Sequence, residues 1–246
     1  MFGWPISLRL LYYCGNEKQS WIFTMSSQHP RISLIHATPL SIQPIADSFK
    51  RLWSDAKIYN LLEDSLTDDL RGLSGDISAM APRFVQLTQY ALGSGADAVL
   101  FTCSAFGPAI ETAKASVIAP VLKPNEAMIE EAVELGSRIA LVATFEPALA
   151  PISVEFQAHA ATLGRTLVLE PFLVNGAWDA IQHGDKERHD HLIVETCSKL
   201  SGFDVVCFAQ FSMTTAQAQA QQATGRPTLS TPDSAVKKLM SVLGRT

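Results

Sequence analysis

The chain has 246 residues, of which 47% are hydrophobic and 17% charged, as expected for a globular protein with a substantial core. A formal net charge of −5 without a basic cluster argues against nucleic acid as a partner, and the lack of a long apolar run argues against a membrane partner. Four cysteines without CxxC or zinc-finger spacing favour reduced thiols, a cytoplasmic location and no metal site.

The first 30 residues do not fit the pattern of the rest. The stretch MFGWPISLRLLYYC is apolar but is interrupted by Arg9, and Met25 precedes a polar segment. No small-residue cleavage site follows a clean apolar core, so the stretch resembles a signal peptide only weakly. Residues 1–30 are therefore expected to be a disordered or non-native extension, and it stays open whether residues 1–24 belong to the native protein.

From Arg31 onward, short apolar runs alternate with amphipathic helical patterns. Strands are predicted over RISLIHA (31–37), KIYNLL (57–62), DAVLFTC (97–103), VLK (121–123), RIALVAT (138–144), TLVLEPF (166–172) and DVVCFAQ (204–210). Helices are predicted within 38–53, 78–95, 126–136, 152–164 and 174–200. Because strands that are apolar on both faces belong to parallel sheets covered by helices, the sequence predicts an α/β fold built from βαβ units.

The sequence also repeats itself, with an offset of 107 residues between Gly95 and its counterpart Gly202. At this offset, or one residue beyond it, the matching segments are GADAVLFTC (95–103) with GFDVVCFAQ (202–210), RISL (31–34) with RIAL (138–141), and PNEA (124–127) with PDSA (232–235). The repeat predicts two similar parallel-sheet α/β halves, 31–137 and 138–246, that arose by internal duplication. The C-terminal helix of the second half can pack on the first half.

A duplicated α/β fold also predicts where a ligand binds. Ligand sites lie at the carboxyl ends of parallel strands, so the site is expected in the cleft between the two halves. The matched strand ends are Cys103-Ser104-Ala105 and Gln210-Phe211-Ser212, which puts Cys103 opposite Gln210. We expect Ser104, Ala105, Phe211 and Ser212 to contact the substrate, because each segment runs into a helix N-terminus that can hold an anion.

Cys103 is the main candidate for chemistry. The helix N-terminus that follows is expected to lower the pKa of its thiol and favour the thiolate. A thiolate beside a bound carboxylate can act as a base on the neighbouring carbon or as a nucleophile. The alternative is that Cys103 is a small hydrophobic residue at the end of a strand, as we expect for Cys197 and Cys207. Cys14 lies in the N-terminal extension.

Other polar residues lie near the same edge of the predicted sheet. His36 ends the first strand and is expected to orient the substrate or act as an acid on its other face, unless it is only a hydrogen-bonded histidine. Thr38 and Thr144 can bind a carboxylate or cap the helices that follow them. Asn60 precedes an acidic loop that we interpret as a lid rather than a metal site. Lys123 can contact an anionic substrate or be solvated.

The segments TCSAFG, AQFSM, PVLKPNEAM and RIALVAT resemble the aspartate/glutamate/hydantoin racemase superfamily, which also contains arylmalonate decarboxylases and maleate isomerases. The resemblance covers about 31–246. It implies two similar halves with the active site between them, no cofactor, a small carboxylate-bearing substrate, a catalytic cysteine at Cys103 and the family's acidic position at Glu126. The sequence contains no nucleotide-binding glycine motif, which agrees with the implied absence of a cofactor.

One position departs from this resemblance. Family racemases carry a cysteine in each half, whereas the second position here is Gln210, whose amide does not exchange protons near neutral pH. Gln210 is therefore expected to contact the substrate rather than to act as an acid or base. A single thiol can deliver a proton to one face, exchange a proton on one face, or attack an activated alkene.

Three functions stay open at this point. The first is a cofactor-independent isomerase of the racemase type that acts at the carbon next to the carboxylate of a small acid, amino-acid derivative or hydantoin, with Cys103 as base or nucleophile. The second is a decarboxylase in which Cys103 protonates an enediolate after loss of CO2. The third is a non-catalytic protein that binds small acids. The sequence leaves the substrate, the stereochemistry and the formation of a homo-oligomer open.

Overall fold

The computed structural model of the chain describes residues 29–72 and 76–245. The N-terminal extension predicted over 1–30 and Cys14 therefore lie outside the described residues, apart from His29 and Pro30. Of the helices in these two ranges, none combines the length and the apolar composition that a bilayer span requires.

Eight strands of the described residues form two separate parallel sheets. The first sheet consists of β1 (Arg31–His36), β2 (Lys57–Leu62), β3 (Ala98–Phe101) and β4 (Val121–Leu122), in the order β2-β1-β3-β4. The second consists of β5 (Arg138–Ala143), β6 (Val168–Leu173), β7 (Val205–Phe208) and β8 (Thr228–Ser230), in the equivalent order β6-β5-β7-β8. The predicted α/β fold with two parallel sheets is thus confirmed, although β8 was not among the predicted strands.

Helices connect the strands and cover both faces of each sheet, as parallel strands require. In the first part of the chain they are α1 (Ile42–Leu52), α2 (Leu66–Gly72), α3 (Ala81–Gly93), α4 (Gly107–Ala115) and α5 (Glu126–Leu135). In the second part they are α6 (Leu149–Thr162), α7 (Ala177–Gln182), α8 (Lys186–Ser198), α9 (Gln217–Thr224) and α10 (Thr231–Val242). Short 3-10 turns at Ser104–Phe106 and Phe211–Ala216 follow β3 and β7.

Strand register in the two sheets follows the sequence repeat. The equivalent register pairs are Ile32–Ala98 with Ile139–Val205, and Val99–Val121 with Val206–Thr228. Each residue of the first sheet in these pairs lies 107 positions before its counterpart, the spacing between Gly95 and Gly202. Agreement of strand order and register supports an internal duplication of the fold.

The last helix of each half covers the sheet of the other half. On α5, Met128 and Ala132 pack in one buried cluster with Leu141 of the second sheet. On α10, Val236 and Leu239 pack in a buried cluster with strands of the first sheet. The larger of these side chains, Met128, Val236 and Leu239, each contribute about 1.5–3 kcal/mol through removal from water, so the exchanged helices hold the two sheets together.

Candidate active site

Cys103 lies in the connection between β3 of the first sheet and α4. The strand β3 is completely buried and ends at Phe101, and Cys103 follows it in an extended conformation at the start of the Ser104–Phe106 turn. Its side chain is partly buried against the core cluster that contains Phe106. Since Gly107 and Pro108 begin α4 directly after this turn, the thiol lies close to a helix start. Of the three cysteines described, only Cys103 is not fully buried.

Burial dominates the electrostatics of this thiol. It raises the pKa of Cys103 above the usual thiol range, and the nearby backbone N–H of Ala105 lowers it by less. The expected depression of the pKa by the helix start is therefore outweighed in the structure. Cys103 is predominantly a protonated thiol near neutral pH, which suits a proton donor. Burial raises the pKa of Cys197 to about 12, in keeping with a structural cysteine.

Gln210 follows β7 at the position equivalent to Cys103, and its side chain is tied to the end of β5. The side-chain oxygen of Gln210 accepts hydrogen bonds from the backbone N–H of Thr144 at 2.9 Å and from the Thr144 hydroxyl at 3.3 Å. Its Nε2 donates to the carbonyl oxygen of Phe145 at 3.3 Å. Gln210 therefore fixes the ends of β5 and β7 relative to each other.

The residues beside these two positions differ in exposure. Ser104 and Ser212 are half-buried, and Ala105 is exposed. Phe211 is 8% exposed and packs in the same buried cluster as the first sheet and α10. The structure thus gives the two serines access to solvent at the strand ends, whereas Phe211 joins the second half to the first.

His36 lies at the centre of a buried hydrogen-bond network at the end of β1. Its Nδ1 is 3.0 Å from the Ser41 hydroxyl and 2.8 Å from the Thr102 hydroxyl, and its Nε2 is 2.9 Å from Oδ1 of Asn60. The ring is fully buried, and burial lowers the pKa of His36 while the bond to Asn60 opposes this. A neutral ring with both nitrogens occupied suits a role in holding the surrounding segments.

The network of His36 includes two hydroxyl residues that were not among the sequence-based candidates. Ser41 and Thr102 also approach each other, with 2.8 Å between their hydroxyl oxygens. Thr102 directly precedes Cys103, so the network fixes the backbone that leads into the cysteine turn. The signal that would have found Thr102 is its position beside the end of β1, one residue before the candidate cysteine.

The remaining candidates near β1 and β2 have partners of their own. The Thr38 hydroxyl accepts a hydrogen bond from the backbone N–H of Leu40 at 3.4 Å and so caps the short turn that precedes α1. Asn60 is exposed and is held by His36. The acidic segment after β2, predicted to be a loop, is partly helical, because Leu66–Gly72 form α2. Arg83 of α3 pairs with Glu63 at 3.0 Å before this helix and with Asp69 within it, and so attaches the segment to α3.

Charged residues gather where α4, α5 and the end of β4 meet. Glu126, in the first turn of α5, accepts a hydrogen bond from Lys114 at 2.8 Å. Burial raises the pKa of Glu126, and Lys114 opposes this. Lys123 follows β4 and pairs with Glu111 at 2.7 Å. Among the described residues, no group of three or more His, Cys, Asp or Glu side chains is placed to hold a metal ion.

Two parallel sheets of equivalent strand order define a two-half α/β protein that carries different residues, Cys103 and Gln210, at equivalent strand ends. The sequence profile of the Asp/Glu/hydantoin racemase family matches residues 52–239, and the chain belongs to this family. The resemblance noted in the sequence is thereby confirmed. No curated protein sequence matches the chain significantly.

Solved structures of racemases and of a decarboxylase share the fold. Allantoin racemase from Klebsiella pneumoniae is 16% identical with a TM-score of 0.62, over 88% of this chain and 89% of that one. The aspartate racemase of Picrophilus torridus is 9% identical with a TM-score of 0.64, over 88% and 95%. Arylmalonate decarboxylase is 15% identical with a TM-score of 0.58, over 87% and 93%. At these identities the likeness is one of fold.

Proposed function

We propose that the chain is a cofactor-independent racemase- or isomerase-type enzyme that acts at the carbon next to a carboxylate of a small acid, amino-acid derivative or hydantoin. Membership of the racemase family supports the reaction class. The observation that carries the proposal is the position of Cys103 at the carboxyl end of β3, partly buried and directly before the turn into α4. Parallel α/β sheets bind their ligands at this edge.

In the proposed reaction, Cys103 exchanges a proton with the substrate carbon. The backbone N–H groups of the Ser104–Phe106 turn and the hydroxyls of Ser104 and Ser212 hold the carboxylate. Abstraction of the α-proton by the Cys103 thiolate leaves the electron pair on the substrate as an enediolate, and the thiol then returns a proton to the same carbon. The burial that raises the pKa of the thiol also makes its thiolate a stronger base.

Gln210 limits this exchange to one face of the substrate. A two-base racemase needs an acid or base on each side of the planar carbanion, and an amide provides neither. The bonds from Gln210 to Thr144 and Phe145 support a role in positioning, with the remaining amide N–H directed to substrate contact. The reaction is therefore exchange or isomerisation with a defined stereochemistry and not symmetric two-thiol racemisation.

Decarboxylation is the second candidate, and the raised pKa of Cys103 favours it. Loss of CO2 from a 2-substituted malonate leaves its electron pair on an enediolate without any prior deprotonation. The protonated thiol of Cys103 then transfers its proton to the carbon, and solvent reprotonates the thiolate. A reaction of this kind needs one proton donor on one face, which is what the chain offers.

Exchange in D2O tests these proposals. Candidate 2-substituted acids, hydantoins and malonates are incubated with the wild-type chain, with Cys103→Ala and with Cys197→Ala, and the α-proton and CO2 release are followed by NMR. We expect exchange or CO2 release in the wild type and in Cys197→Ala, and its loss in Cys103→Ala. Tight binding of these acids without turnover, unchanged in Cys103→Ala, would contradict catalysis and indicate the third candidate, a protein that only binds small acids.

A further inference from the structure

A carboxylate of the second half lies against the start of the helix that follows Cys103. Oε1 of Glu155, in α6, is 3.8 Å from the point that a Cβ atom on Gly107 would occupy. Gly107 is the first residue of α4 and comes four residues after Cys103. Because α6 belongs to the second sheet and α4 to the first, Glu155 carries a charge across the junction between the halves to the cysteine turn.

Three charged side chains lie near Glu155. Lys123 after β4, Glu126 on α5 and Glu111 on α4 all interact with it electrostatically. Glu155 is half-buried, and burial raises its pKa, with Lys123 acting against this and Glu126 and Glu111 adding to it. Lys123 is already paired with Glu111 and Lys114 with Glu126, so Glu155 has the weakest neutralisation of the three carboxylates.

The internal repeat has a hydroxyl at the position of Glu155. Ser48 on α1 is the counterpart of Glu155, since the two are separated by the same 107 positions as Gly95 and Gly202. Ser48 donates a hydrogen bond of 2.6 Å to Asp233 in the first turn of α10. The carboxylate of Glu155 is therefore a feature of α6 that its repeat counterpart α1 lacks at this position.

A charge at the start of α4 acts on Cys103 through the electrostatic field of the helix N-terminus. The N-terminus of an α-helix carries a partial positive charge of about half a unit, which favours a nearby thiolate. An ionised carboxylate at the same helix start offsets that field. The charge of Glu155 is thus expected to add to burial, which is the main cause of the raised pKa of Cys103.

We propose that Glu155 is a positioning residue that sets the thiolate fraction of Cys103 through the charge that it places at the start of α4. The inference rests on the proposed role of Cys103 in the reaction. Ionisation of Glu155 holds the proton on Cys103, and loss of this charge releases it. The second half of the chain thereby controls the acid–base state of the cysteine that the first half supplies.

Alkylation of Cys103 tests this without a substrate. The rate of reaction with iodoacetamide is measured for the full chain across about pH 5 to 10 by mass spectrometry of the Cys103 peptide, with Cys103→Ala as the blank. Glu155→Gln is expected to move the titration midpoint of Cys103 to lower pH and to speed alkylation at neutral pH about 3- to 10-fold, the effect of removing one nearby unit charge. Glu155→Asp, which keeps the charge, is expected to stay near the wild type.

Two further variants separate electrostatics from loosened packing. Glu134→Gln removes an exposed carboxylate of α5 and is expected to leave the midpoint unchanged. Lys123→Met removes the opposite charge and is expected to move the midpoint to higher pH, which keeps the test decisive if Glu155→Gln does not fold. Equal midpoints in Glu155→Gln and Glu134→Gln would overturn the proposal, as would shifts of the same sign in Glu155→Gln and Lys123→Met. Failure of the proposed function would instead appear as D2O exchange that persists in Cys103→Ala.

Discussion

The side-chain oxygen of Gln210 accepts a hydrogen bond of 2.9 Å from the backbone N–H of Thr144. Gln210, the repeat counterpart of Cys103, therefore joins the end of β7 through its side chain to the backbone that follows β5. This contact explains how the chain can lack a thiol at this position and keep the strand ends in place. It also indicates what a cysteine at position 210 would change.

Gln210→Cys is expected to change the stereochemistry of the reaction. The variant supplies a proton carrier on the second strand end, so exchange in D2O should invert as well as retain configuration, which chiral chromatography of the labelled substrate detects. Loss of the bonds to Thr144 and Phe145 should lower the free energy of unfolding by about 1–2 kcal/mol, measured by urea titration. Gln210→Ser is the matched control, with the same loss of stability and no inversion. Inversion by the wild type at the same rate would contradict the one-sided mechanism.

The buried ring of His36 is expected to make stability depend on pH. Burial holds the pKa of His36 below its usual value of 6.5, so the unfolded chain binds more protons than the folded chain in acid. The contribution of His36 is therefore present above about pH 6.5 and is lost as the pH falls, by at most about 1.4 kcal/mol per pH unit.

Urea unfolding of the wild type and of His36→Gln, at pH values above and below about 6.5, checks the expectation. Gln keeps hydrogen-bonding groups but does not titrate, so the variant should lose less stability on acidification than the wild type. Parallel losses in the two chains would show that other groups cause the acid sensitivity.

The sequence predicted the fold well because its signals are local or repeated. The strand β2 lies over 57–62 as predicted, and the offset that pairs Gly95 with Gly202 also gives the register of both sheets. The same offset, read from the sequence alone, identifies Gln210 as the counterpart of Cys103. The three-residue strand β8 was missed, although the same offset makes it the counterpart of β4, which was predicted.

The electrostatic state of the site could not be predicted from the sequence, because burial depends on the packing of distant segments. The pKa of Cys103 is raised although the local sequence suggested the opposite. Likewise, the bonds of His36 to Ser41 and Thr102 depend on how the loop after β1 folds back over β3. Glu155 lies 52 positions after Cys103 in the chain and reaches the start of α4 only through the packing of the two halves.

Asp233 is expected to be a major contributor to the junction between α1 and α10. Its carboxylate is 5% exposed and accepts hydrogen bonds from Ser48 at 2.6 Å and from both terminal nitrogens of Arg51. Asp233→Ala removes these bonds, although Ser48 keeps its hydrogen bond to the carbonyl oxygen of Pro44, and should lower the free energy of unfolding by about 2–3 kcal/mol. Arg51→Ala should cost less than about 1 kcal/mol, because the arginine is half-exposed. Urea titration of both variants checks the order, and an equal or larger loss in Arg51→Ala would contradict it.

Gly136 is expected to tolerate no side chain, because Asp204 occupies the space beside it. In each half, an aspartate carboxylate holds the start of the first strand. Asp97 accepts a hydrogen bond from the backbone N–H of Arg31 at 2.8 Å, and Asp204 accepts one from that of Arg138 at 2.9 Å. A Cβ atom on Gly136 would lie 2.2 Å from the Cβ of Asp204, an atom that cannot turn away. Gly136→Ala should therefore displace the aspartate and lower the free energy of unfolding by about 1–3 kcal/mol.

Gly93→Ala provides the matched control for this substitution. Gly93 is the last residue of α3, and a Cβ atom there would meet no atom within 4 Å. Alanine at this position should be neutral or should stabilise the chain by up to about 1 kcal/mol, since it restricts the unfolded state and favours the helix. Thermal unfolding of the two variants compares them directly. Equal melting temperatures for Gly136→Ala and Gly93→Ala would show that the strand start can move away from Asp204, and that the aspartate does not fix it.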